Sequence, residues 1–199
     1  MSWLLKNLVL PLMLLCFWGQ GAQACLCFPL HPQEAFCQSA VVITAKVLNK
    51  EVDNNLIGDE FNQPVKYEIK VTKIFKGPRT HIHAISTVSS ALFCGVNLIE
   101  DKEYLIMTRP PLDGTLHINL CEFSQSWETL SKTQKNLLQH YGRGCDCKIT
   151  PCYSLPCGFG SSQCWWTDFI TPTSSYNQTR NYACVKQIDG SCAWQPGYP

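Results

Sequence analysis

The residues with the most chemistry to offer are cysteines: Cys25, Cys27, Cys37, Cys94, Cys121, Cys145, Cys147, Cys152, Cys157, Cys164, Cys184 and Cys192, with Cys16 ahead of them. Such side chains can ligate zinc, attack a substrate or close disulfides, and the redox compartment decides among these. The N-terminus points to an oxidising one. Lys6 is a positive n-region, Leu8 to Trp18 an apolar h-region, and Ala22-Gln23-Ala24 a small-x-small cleavage site. That run is too short to span a bilayer, and no later stretch is long and apolar enough to do so. A lipoprotein signal competes because Cys25 follows directly, but Ala22 and Gln23 do not suit it. Residues 1–24 therefore read as a signal peptide, and cleavage after Ala24 makes Cys25 the first residue of a secreted chain. Twelve cysteines then imply six disulfides, with on the order of ten thousand pairings open. Zinc remains the rival reading for the Cys-x-Cys pairs and for Cys152 with Cys157.

Other reactive groups do not assemble into a known catalytic pattern. His81-x-His83 puts two rings on one face of a strand-like stretch, a weak metal signal. Gly-x-Ser-x-Gly, His-Glu-x-x-His and a phosphate loop are all absent from the sequence. Trp165, Trp166 and Trp194 read as the core of a stapled mini-domain more readily than as a ligand platform. Asn177-Gln178-Thr179 is a glycosylation sequon in a polar stretch. The chain carries 16 Lys plus Arg against 15 Asp plus Glu. Loss of Lys6 with the leader balances them, so the electrostatic footprint of a nucleic-acid binder is missing. An apolar fraction of 45% argues against disorder.

Two small domains must hold these residues. Five cysteines fall within 25–121 and seven crowd into 145–192, a segment too short for much of a core. The boundary reads at Gly144-Cys145-Asp146-Cys147, giving domains at 25–145 and 146–199. The first is β: Val41 to Val47 suits a strand buried on both faces, and Tyr67, Ile69 and Val71 alternate with polar residues up to Lys76-Gly77-Pro78. Ile82 with Ile85, Tyr104 to Met107, and the alternation Leu116, Ile118, Leu120 add three more. Five such strands favour a small closed barrel over an open sheet with exposed edges. Pro32 suits a helix start. Ser131-Lys132-Thr133-Gln134 is a capping box, with Leu137, Leu138 and Tyr141 on one face and Gly142 as the stop.

Cys25-Leu26-Cys27-Phe28-Pro29-Leu30-His31-Pro32 through Cys37 resembles the start of the tissue inhibitors of metalloproteinases. So do Tyr67-Glu68-Ile69-Lys70, Phe75-Lys76-Gly77, Cys94-Gly95-Val96, Tyr104-Leu105-Ile106 and Leu130 to Lys135. Cys145-Asp146-Cys147, Cys164-Trp165-Trp166-Thr167-Asp168 and Gly190-Ser191-Cys192-Ala193-Trp194 extend the likeness over the whole mature chain. The resemblance implies an OB-like, netrin-like five-stranded barrel followed by a disulfide-rich C-terminal domain. It also implies the pairs Cys25–Cys94, Cys27–Cys121, Cys37–Cys145, Cys147–Cys192, Cys152–Cys157 and Cys164–Cys184.

Its functional implication is a secreted, non-enzymatic inhibitor of zinc metalloendopeptidases, the matrix metalloproteinases among them. Such a chain has no cofactor of its own and acts on the target's zinc through the Cys25 amine and carbonyl. The protease-binding residues carried over are Cys25, Leu26, Cys27, Phe28, Pro29, Gln38, Ala91, Leu92, Phe93 and Cys94. A pro-enzyme is a further possible partner, through the C-terminal domain. Three departures from the family pattern bear on selectivity. Leu26 stands where Thr or Ser is usual, Phe28 is bulkier than its counterparts, and the segment Ser89 to Cys94 is one residue longer. From another class, a netrin-like module that binds matrix or a receptor without inhibiting anything remains open.

Overall fold

The computed structural model describes residues 25–52, 63–78, 81–170 and 177–197; the leader 1–24 and its cleavage site lie outside them. His31 starts the first helix, α1 (Pro32–Gln38). Its ring Nδ1 accepts the Gln33 N–H at 3.2 Å, and Pro32 holds the first helical position, where a missing N–H is no loss. At the other end, Lys76 Nζ donates to the Phe36 and Cys37 carbonyls at 3.1 and 2.9 Å, satisfying acceptors that the helix leaves open.

Among the described residues six strands, not five, make one sheet: β1 (Val41–Val52), β2 (Pro64–Lys76), β3 (Ala84–Val88), β4 (Glu103–Thr108), β5 (Thr115–His117) and β6 (Phe123–Ser126). Their order is β5-β3-β2-β1-β4-β6, antiparallel except for the β3–β5 pair. Central β1 is buried on both faces over its first half, as its unbroken apolar run requires. Val41, Ile43, Ala45 and Val47 join Tyr67, Ile69, Ile85, Ile106 and Leu116 in the inner core. Val42, Leu105 and Met107 face the opposite way, toward α1 and α2 (Lys132–Leu137).

The expected closed barrel is not found, because no ladder joins the ends of the sheet among the described residues. Register shifts at three points of the β1–β2 ladder curl the sheet. The C-terminal ends of β4 and β5 are linked by a side-chain hydrogen bond, Thr108 Oγ1 donating to the His117 carbonyl at 3.2 Å. The alternation through Leu120 also stops early. Ile118 is buried beyond β5, but Leu120 is exposed in a turn. Helix α2 has its capping box, with Ser131 and Gln134 bonded reciprocally at 3.1 and 2.9 Å. It ends at Leu137 rather than Gly142, which lies in a separate 3-10 turn, Tyr141–Gly144.

The remaining strands pair in two short sheets: β7 (Lys148–Pro151) parallel to β8 (Gln163–Trp166), and β9 (Tyr182–Lys186) antiparallel to β10 (Cys192–Pro196). Trp166, Ile149 and the half-cystines Cys147, Cys164 and Cys184 form their small core, with Trp194 packed against it. Ala183 and Val185 instead complete the outer core of the large sheet, together with Phe36, Leu137 and Tyr141. One short helix, α3 (Gln178–Asn181), leads into β9.

Candidate functional site: an exposed ridge held by two disulfides

The six bridges are Cys25–Cys94, Cys27–Cys121, Cys37–Cys145, Cys147–Cys192, Cys152–Cys157 and Cys164–Cys184, the pairs that the resemblance implies. The first two tie residues 25–28 to the rim of the sheet, with Cα–Cα separations of 5.4 and 5.1 Å. On either side of the Cys27 staple the side chains point outward. Leu26 is 86% exposed and Phe28 87%. Across the Cys25–Cys94 bridge, Leu92 and Phe93 are exposed as well. Four large apolar side chains thus stand in water on a segment that cannot retract, the mark of a surface built to meet a partner.

The Cys94 side of the ridge is fixed by local chemistry. Ser90 Oγ accepts the Leu92 N–H at 3.2 Å, and the Ser90 carbonyl accepts from Phe93 and Gly95 at 3.1 and 2.9 Å. This winds Ala91–Phe93 into one 3-10 turn. Cys94 follows with φ 67°, a left-handed conformation unusual for a side chain bearing Cβ and held here by its bridge. Gly95 must be glycine, since a Cβ there would lie 2.0 Å from the Val88 carbonyl oxygen.

The Cys121 side rests on residues that the sequence reading missed. Asn119 Oδ1 accepts the Cys121 N–H at 2.8 Å, while Glu122 accepts the Asn119 N–H at 3.1 Å and Arg109 Nε at 3.2 Å. Leu120 N–H donates to the Cys94 carbonyl at 2.8 Å, so this turn links the two staples directly. Asn two residues before Cys121 is the one local signal that could have exposed it, an Asx turn. Pro29 is exposed beside the ridge. Gln38 is not brought into it: at the end of α1 its side chain donates to Glu34 at 3.2 Å.

Immediately after the ridge the chain dives into the protein. His31 and Gln33 are fully buried. Gln33 Nε2 donates to the carbonyls of Tyr141 and Cys184 at 3.1 and 2.7 Å, and its Oε1 accepts the Cys184 N–H at 2.7 Å. The His31 ring lies 5.3 Å from Trp166 and 5.2 Å from Trp194, centroid to centroid. Burial lowers its pKa to about 4; the Gln178 backbone and the Asp168 carboxylate pull weakly the other way. Burial likewise pushes the Tyr141 hydroxyl up. Gly144 closes this junction, since a Cβ there would overlap the Cys184 carbonyl oxygen at 1.7 Å.

The other sequence candidates lie apart. The His81 and His83 rings stack at 5.6 Å just before β3, with no third ligand grouped with them among the described residues. Cys147, Cys184 and Cys192 have sulfurs close enough to share a metal, but every one is in a disulfide. Asn177 caps α3, its Oδ1 accepting the Arg180 N–H at 2.9 Å. Trp166 is buried and Trp194 half-buried, so both serve the small core.

Among the described residues no helix is long and apolar enough to cross a membrane. The chain matches the family described as tissue inhibitor of metalloproteinase over residues 23–194. It is 47% identical over 200 residues to metalloproteinase inhibitor 2 of Cavia porcellus, covering 96% of this chain and 90% of that protein. The Homo sapiens protein of that name is 46% identical over the same shares, and the Gallus gallus one 45% over 188 residues, 90% of this chain and 84% of the relative. With the stapled ridge, the half-cystine set and these likenesses in agreement, the chain belongs to the tissue inhibitor of metalloproteinase family.

Proposed function

We propose that the chain, cleaved after Ala24, is a secreted protein inhibitor of zinc metalloendopeptidases of the extracellular matrix. The observation that carries this reading is the exposed apolar ridge with Cys25 at its stapled end. A catalytic zinc has three protein ligands and a fourth position held by water. The α-amine and carbonyl oxygen of a mature Cys25 would close a five-membered chelate on that metal in place of the water. An α-amine titrates near ~7.7–8.0, so its lone pair is accessible around neutral pH. The Cys25 sulfur is not the ligand, because it is committed to Cys94.

Leu26 is then the side chain aimed into the pocket beside the zinc. A deep apolar pocket accepts it and a shallow one clashes, so Leu26, Phe28 and the Ala91–Phe93 turn set selectivity. Since both bridges order the segment beforehand, little entropy is lost on docking. No scissile bond lies at the metal, and the complex goes no further.

The inner core of the sheet supports an OB-like fold for residues 25–145, with 146–199 as a disulfide-rich domain attached to it. In that second region Tyr153, Leu155 and Phe159 are exposed. They supply an apolar surface for a pro-enzyme, and Asn177 is the site for a glycan. Titration of an active matrix metalloproteinase with the purified mature protein tests the proposal. Inhibition reaching completion at one equivalent is expected; full enzyme activity at excess inhibitor would favour the netrin-like binding module instead.

A further inference from the structure

A cavity of about 370 Å³ lies between the end of α2 and the β9–β10 hairpin, and it shares no residue with the ridge. Its floor is apolar: Leu137, Ala183 and Val185. Its rim is polar and one-signed. His140 and Arg143 line it together with Gln139 and Gln195, and no Asp or Glu is among the described lining residues. Among the described residues neither the Arg143 guanidinium nor the His140 ring has an ion-pair or hydrogen-bond partner.

This combination has a chemical reading. The volume sits at the low end for ligand pockets, enough for one apolar side chain with its attached polar group. An unpaired guanidinium offers two parallel N–H donors that match a carboxylate. The amide side chains of Gln139 and Gln195 can both donate to and accept from a peptide backbone. We propose that this cavity binds the C-terminal residue of a polypeptide partner, with its apolar side chain on the Leu137–Ala183–Val185 floor and its α-carboxylate on Arg143. The Gln139 and Gln195 amides and the His140 ring meet the last peptide groups.

The test uses the full mature protein with isotope-labelled methyl groups, titrated with three probes and followed by NMR. The probes are N-acetyl-Gly-Gly-Leu with a free carboxylate, the same peptide as its carboxamide, and N-acetyl-leucine. Saturable shifts of the Ala183 and Val185 methyls are expected with the acid peptide, with the carboxamide at least tenfold weaker. Arg143→Ala should cost the acid peptide about tenfold while leaving carboxamide binding and protease inhibition unchanged. Equal binding of acid and carboxamide, an unaffected Arg143→Ala, or no saturable shift would overturn the proposal. N-acetyl-leucine binding as tightly as the peptide would overturn the polypeptide assignment.

Discussion

Residues 25–30 and 31–38 are consecutive, yet the fold treats them in opposite ways. The first stretch displays Leu26 and Phe28 in water and spends two disulfides on keeping them there. The second buries His31 and Gln33 completely, among groups contributed by residues 141–194. Apolar residues held out and polar residues held in are both uphill relative to ordinary burial. The difference lies in where compensation comes from. Gln33 is compensated inside the molecule by three hydrogen bonds, so its role is structural. Leu26 and Phe28 have no such compensation within the described chain; on the proposed function a protease supplies it.

That contrast can be broken from either side. Gln33→Ala should have the largest effect on stability. It strands the Cys184 N–H and two buried carbonyls, a loss of about 3–4 kcal/mol. Chemical denaturation should show the drop, while inhibition by the still-folded fraction stays intact. Next is acid. The folded-state pKa of His31 is depressed from 6.5 to about 4, so between those values the unfolded chain binds a proton that the fold refuses. Stability is fully present above pH 6.5 and falls as pH drops toward 4, by about 3 kcal/mol. The wild-type minus His31→Gln difference in urea midpoint, measured from pH 7 to pH 4, isolates this contribution from the carboxylates.

On the ridge side, Leu26→Gly should leave the denaturation midpoint almost unmoved but weaken inhibition by about 2 kcal/mol, the value of burying one such side chain. Inhibition constants across several metalloproteinases check it, and equal potency of the two forms would show that the side chain stays outside the pocket. Smallest is Ser131→Ala, which removes half of the α2 capping box. About 1 kcal/mol of stability should go, with no change in inhibition.

Much of this arrangement is legible in the sequence where the signal is local. The apolar run of β1, the alternation of β2 and the Ser131–Gln134 box each predict what forms, because near neighbours decide them. Family resemblance carries the bridges, whose partners lie up to 108 positions apart. What stays hidden is non-local or half-buried. β6 is half-buried along its whole length and shows no alternation. The alternation of Leu116, Ile118 and Leu120 misleads because Asn119 turns the chain back on itself. Gln33 gives no sign of its burial, since its partner Cys184 is 151 residues away. The number of strands, and the approach of β4 to β5 seen in the Thr108–His117 hydrogen bond, depend on curvature that periodicity does not encode.

The central claim is that the Cys25 α-amine is the zinc ligand, and blocking that amine tests it most directly. A mature protein carrying one extra alanine before Cys25 should form all six bridges, as thiol counting and an unchanged denaturation midpoint would establish. In a titration of active metalloproteinase beside the native protein, the account predicts that the extended form loses several kcal/mol of affinity, as removal of a metal ligand does. Inhibition by the extended form as tight as by the native one would contradict it.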